Sequence, residues 1–276
     1  MGTISTMILC QLFILPAFIS NVGGQSGNQF WKEEGSVTYS VNLKETYTDI
    51  PGAQNVDITG ADYVIQFVTT YLGKMLFNAS TSSNTLRDFY SISVSGEFFT
   101  VDPSTGMDSN GNWAGIFLDT GGLEIGDEVD AFPFEIEYTD DNGAHSSIRY
   151  YKIENETDFT LRLDGEERTI EALNIRLEDF SILYSVNGVN FKQYFSNYGL
   201  QVAKSSGVLL ATTSHHQLRV LQTFEKVLID RITSWTAKEA RDLTLSGKPS
   251  SGLELVVVAV GLTVLAIISI TKRRLK

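Results

Sequence analysis

Three short turns, each set between runs of alternating apolar and polar residues, restrict this chain to antiparallel β structure. Asp140-Asp141-Asn142-Gly143 separates residues 132–139 from 147–153, Asp164-Gly165 separates 157–163 from 168–175, and Asn187-Gly188 separates 180–186 from 189–195. Asn-Gly and Asp-Gly pairs supply the positive φ values of a tight hairpin turn, and so short a connection cannot join parallel strands. The same alternation opens the domain at 36–47, where Val37, Tyr39, Val41 and Leu43 define one buried face. Further runs at 63–71, 89–94, 98–101, 113–118, 199–204 and 208–213 read as strands. Residues 220–232 read as a strand too, although Leu221, Phe224, Leu228, Ile232 and Trp235 also fit helical spacings of three and four. Thr236-Ala-Lys-Glu239 has the pattern of a capping box and predicts a short helix through Leu243. The expected fold is mainly β: an antiparallel meander of about ten to twelve strands forming a sandwich or a curved half-barrel sheet, plus one C-terminal transmembrane helix.

That helix is expected at 253–270, where an 18-residue apolar run, LELVVVAVGLTVLAIISI, is close to the ~20 residues that cross a hydrocarbon layer of ~30 Å. Lys272, Arg273, Arg274 and Lys276 follow at once, and basic residues beside a span mark its cytoplasmic side. At the other end, 7–20 is an apolar stretch of the length of a secretory h-region, followed by Val22-Gly23-Gly24 as a cleavage site. An uncleaved first membrane helix is the alternative, since no Lys or Arg precedes the run. The organisation expected is therefore a signal peptide at 1–24, an extracellular β-rich domain at 25–245, a Ser/Gly/Pro linker at 246–252, the membrane helix at 253–270 and a basic cytoplasmic tail at 271–276.

Charge and cysteine usage narrow the chemistry. Setting aside the four basic residues of the tail and Glu254 leaves 17 Lys and Arg against 32 Asp and Glu, a net charge of −15 for residues 1–252. Such a surface argues against nucleic acid and anionic head groups as partners. Cys10 is the only cysteine, so the external domain has no disulfide, thiol nucleophile or cysteine zinc site, and packing with sheet hydrogen bonds must hold it together.

Few residues suggest a site. Asp108, Asn110, Asn112 and Asp119 place oxygen ligands at positions one, three, five and twelve of a calcium-loop count, although Trp113 stands where such loops use Gly. An exposed polar turn accounts for the same residues. Asn78-Ala-Ser80 and Asn155-Glu-Thr157 are glycosylation sequons in polar, loop-like surroundings. His215 and His216 are adjacent and would point to opposite faces of a strand, which prevents them from sharing one metal. No hydrolase elbow, zinc-protease helix, phosphate loop or dinucleotide glycine pattern occurs, and nothing singles out one carboxylate pair. Catalytic residues are therefore not assigned.

The combination of leader, cysteine-free acidic β ectodomain, short linker, single apolar helix and terminal basic cluster resembles archaeal cell-surface proteins. Phe30-Trp31…Gly35…Val37-Thr-Tyr39, Gly126-Asp-Glu-Val129 and Tyr198-Gly-Leu…Ser206-Gly-Val-Leu-Leu210 are similar to ectodomains of the Asgard lineage. The sequence departs from the archaeal sorting signal in having no Pro-Gly-Phe before the apolar run. The meander is also similar in outline to the lipoprotein-carrier fold, in which a concave face holds acyl chains. The anchor, the continuous sheet and the lack of a catalytic constellation point to a non-catalytic surface module that binds a ligand or another envelope component, a small apolar ligand by analogy with that fold; a tethered hydrolase with paired carboxylates is the alternative.

Overall fold

The computed structural model describes residues 30–110, 113–221, 225–245 and 247–249. The expected leader, membrane helix and basic tail lie outside them. Among the described residues no helix is long and apolar enough to cross a membrane.

Among the described residues twelve strands form one sheet: β1 (Trp31–Tyr47), β2 (Val56–Tyr71), β3 (Lys74–Thr81), β4 (Glu97–Val101), β5 (Glu128–Asp140), β6 (Gly143–Leu163), β7 (Glu166–Arg176), β8 (Phe180–Val186), β9 (Val189–Ala203), β10 (Leu209–Leu221), β11 (Glu225–Leu243) and β12 (Gly247–Pro249). Among the described residues one helix, α1 (Asn84–Tyr90), follows β3. The strand order is β4-β3-β2-β1-β11-β10-β9-β7-β6-β5, with β8 against β9 and β12 against β7. All three hairpin turns fall where the glycine pairs predict them. Several expected strands join into longer ones: 147–153 and 157–163 are both β6, and 189–195 continues into the expected 199–204 strand as β9, which ends at Ala203.

The sheet curls far enough to meet itself. Besides its antiparallel partners β1 and β10, β11 pairs in parallel with β6 at Glu239↔Arg162 and Ala240↔Leu163. Strands β6, β7, β9, β10 and β11 thus close a ring at that end, and β1 to β4 extend from it as an open wing. One core, with Val37, Tyr39, Phe77, Ile170, Ala172 and Ala240, and a second, with Tyr151, Leu173, Ile175, Leu200 and Val202, occupy opposite faces of β7. Ala172 and Leu173 are both buried for that reason, because neighbours on a strand face opposite ways.

Four local expectations are corrected. Residues 89–94 are not a strand: the Ser83 side chain accepts from the Leu86 N–H to start α1, and Ser91 ends it at φ 56°. Leu86, Phe89 and Tyr90, at helical spacing, face the first core. Residues 113–118 make only isolated bridges, Met107↔Trp113 and Phe117↔Val208, because Gly115 at φ 69° interrupts them. They form a plug with Ile116, Phe117 and Leu118 buried. The capping box at 236–239 starts no helix; β11 runs through it. A register shift between Thr38 and Tyr39 lets one strand bury Ala237 and Ala240, a spacing of three that resembles a helix. Lastly, 247–249 of the expected linker pair with β7, Gly247↔Ile170 to Pro249↔Arg168.

Candidate functional site

Sheet register assembles a site that no sequence motif announces. Glu45 lies opposite Arg231, Arg231 opposite His216, His216 opposite Phe195, and Phe195 opposite Phe180. Directly opposed residues share a face, so these five side chains form one row across β1, β11, β10, β9 and β8. Arg231 pairs with Glu45 at 2.5 Å, and the Tyr47 hydroxyl donates to the same carboxylate oxygen at 2.7 Å. Glu45 is 1 % exposed and His216 7 %.

Aromatic groups flank the row on both sides. The Arg231 guanidinium lies 5.6 Å from the centre of the Phe89 ring, which packs on Tyr90 and through it on Trp235. The His216 ring stacks on Phe195 at 4.7 Å, beside Phe134, Phe180 and Tyr198. Burial pulls the His216 pKa down to about 4, helped by the nearby Arg231 charge, so this imidazole is neutral above that pH. Burial also pushes the Tyr47 hydroxyl up to about 12, and its hydrogen bond to Glu45 adds to the shift.

Within the row, Glu45 Oε2, Arg231 Nε and both ring nitrogens of His216 are buried without a hydrogen-bond partner among the described residues. Each such group costs ~1–3 kcal/mol of desolvation when left unmatched, so their gathering at one place is unusual. Chemically they offer an acceptor, a donor and an imidazole that can do either.

On the opposite face, directly behind this row, runs a second polar network. His215 Nε2 lies 2.7 Å from Asp230 and its Nδ1 lies 3.3 Å from Ser196 Oγ. Gln217 donates to Asp230, and Arg219 donates to Gln217 and to Glu225. The expectation that the two histidines face apart is met.

The carboxylates singled out in the sequence sit at local turns. Asp108 is bridged to Val101 at the end of β4, whereas Asp119 follows the plug that bridges to Val208. Their carboxylates accept the backbone N–H of Asn110 and Gly121, each two residues on. Asn112 lies outside the described residues. Among the described residues no group of three His, Cys, Asp or Glu side chains is gathered for a metal. The sequon asparagines stand in strands, not in loops: Asn155 is exposed beside a register shift in β6, and Asn78 in β3 packs against Gly96.

Glu45, Arg231, Ser196 and Asp230 were missed, yet one signal for Glu45 was available. It continues the buried alternation Val37, Tyr39, Val41, Leu43, and a carboxylate at an inward position of a strand must find a partner. The sequence matches no protein-family model and no characterised protein, so the reading of this site rests on its geometry.

Proposed function

We propose that this chain is a single-pass cell-surface membrane protein whose β domain binds a ligand without transforming it. The leader-like start, the apolar run at 253–270 and its basic tail support the location, in keeping with the resemblance to archaeal surface proteins. One observation carries the binding reading: the orphaned polar atoms of Glu45, Arg231 and His216, buried in one row between two aromatic groups. A ligand suited to it has a compact polar end that both donates and accepts hydrogen bonds, attached to an apolar body. Calcium at Asp108, Asn110, Asn112 and Asp119, and glycans on Asn78 and Asn155, are separate proposals that this row does not require.

The test uses the full chain in lipid nanodiscs with decanoic acid and decanol as probes, read by Trp emission and native mass spectrometry. A saturable change, weakened tenfold or more by Arg231→Met and by His216→Phe, is the expected result. No saturable change with any such amphiphile would sink the reading.

A second reading, hydrolysis, has one observation in its favour. In the tautomer that donates from Nε2 to Asp230, His215 leaves Nδ1 to accept from the Ser196 hydroxyl, the order of groups that activates a serine. Covalent labelling of Ser196 by a fluorophosphonate, abolished by His215→Gln, would favour this reading over the first.

A further inference from the structure

We infer that the Asp164–Gly165 end of the domain is the face apposed to the lipid surface, and that the Glu45–Arg231–His216 row lies at the far end. This rests on the reading of 253–270 as a membrane span. The carrying observation is the direction of β12. Its partners run Gly247↔Ile170, Lys248↔Thr169, Pro249↔Arg168, so the chain leaves the sheet heading toward the β6–β7 turn.

Lengths then set the geometry. From Pro249 to Leu253 there are four Cα steps, which span at most ~14 Å. From Arg168 to the tip at Gly165 is three residues, or ~10 Å along a strand. The chain therefore cannot reach the bilayer unless the turn comes close to it.

The composition of this end fits contact without insertion. Asp164, Glu166 and Asp242 are exposed there, and Arg168 and Arg241 are each held by a neighbouring carboxylate, Glu166 and Glu239. Two surface hollows, of about 240 and 290 Å³, flank the turn and are lined mainly by these charged residues. A mixed-charge face of this kind stands against zwitterionic head groups and leaves the hydrocarbon alone.

Strand lengths carry the other half. Ala240 pairs with Leu163 beside the turn, and Arg231 lies nine residues before it on β11, opposite His216. At ~3.3 Å per residue the polar row stands on the order of 30 Å from the turn. A ligand of that row would be taken from the outer medium, not from the bilayer beneath.

The experiment places one fluorophore on the full chain, in a Cys10→Ser background, at Glu166→Cys or at Asn190→Cys on the distal hairpin. The protein is reconstituted in phosphatidylcholine vesicles containing a lipid spin-labelled at its head group. Co-flotation with the vesicles, with quenching severalfold stronger at position 166 than at 190, is expected. Insertion of about ten Gly/Ser residues after Pro249 should erase the difference. Co-flotation with equal quenching, or stronger quenching at 190, overturns the orientation while leaving the anchor intact. Failure to float overturns the anchor and the orientation together.

Discussion

His215 and His216, neighbours on β10, serve opposite faces of the sheet: one lies 2.7 Å from the Asp230 carboxylate, the other stacks on Phe195 at 4.7 Å. Their environments differ accordingly, and the buried one makes stability depend on pH. Burial lowers the folded-state pKa of His216 from 6.5 to about 4, so between these values the unfolded chain binds the extra proton. Stability should be constant above pH 6.5 and fall as pH drops toward 4, by up to about 3 kcal/mol from this group. His216→Phe removes that slope and, by eliminating two unmatched nitrogens, should raise stability at pH 5. Denaturant titrations of both proteins at pH 5 and 7.5 check this, and an unchanged slope in the variant would refute it.

Arg231 and Glu45 form a nearly enclosed pair, with side chains 20 % and 2 % exposed. Removing one partner strands a buried charge. Arg231→Met should cost about 3–5 kcal/mol, whereas the double change Arg231→Met with Glu45→Leu should recover most of it. A double-mutant cycle by chemical denaturation measures the coupling; additive losses would show that the pair is not the source.

Tyr39 is fully buried and its hydroxyl donates to the Leu209 carbonyl at 2.8 Å, tying the open wing to the closed ring across 170 residues of sequence. Tyr39→Phe keeps the ring packing and deletes the bond. A loss of about 1–3 kcal/mol is expected, since the carbonyl is then buried without this donor. An equilibrium unfolding midpoint equal to that of the parent would contradict it.

Gly207 has φ 68°, and a Cβ there would meet the Leu118 backbone, whose N–H donates to the Gly207 carbonyl at 2.8 Å. Gly207→Ala should therefore destabilise by more than about 1 kcal/mol and detach the 113–118 plug. Hydrogen exchange of the Leu118 and Leu209 amides reports the detachment directly.

At the opposite end, the Asp141 carboxylate accepts the backbone N–H groups of Asn187 and Gly188 at 2.7 and 3.1 Å, clipping one hairpin turn to another. These bonds hold the Asp141 pKa below its usual value, so the clip is intact above pH 3.8 and is lost as pH falls through the lowered pKa. Asp141→Ala should speed amide exchange at Asn187 and Gly188 at neutral pH. Unchanged exchange would show that the clip does not hold.

The antiparallel class, the hairpin positions and the inward face of β1 are legible in the sequence, because turn chemistry and period-two alternation are local properties. The two histidines fall on opposite faces for the same reason. Local pattern misled where tertiary contacts compete with it. Phe89 and Tyr90 look like strand residues but are carried on a capped helix, and Thr236-Ala-Lys-Glu239 reads as a capping box although β11 runs through it. Closure of the sheet through β6 and β11, and the sharing of one row by Glu45, Arg231 and His216, separated by up to 186 residues, emerge from the folded chain alone. Register between strands distant in sequence follows from the summed packing of the whole sheet, and no short stretch of residues encodes it.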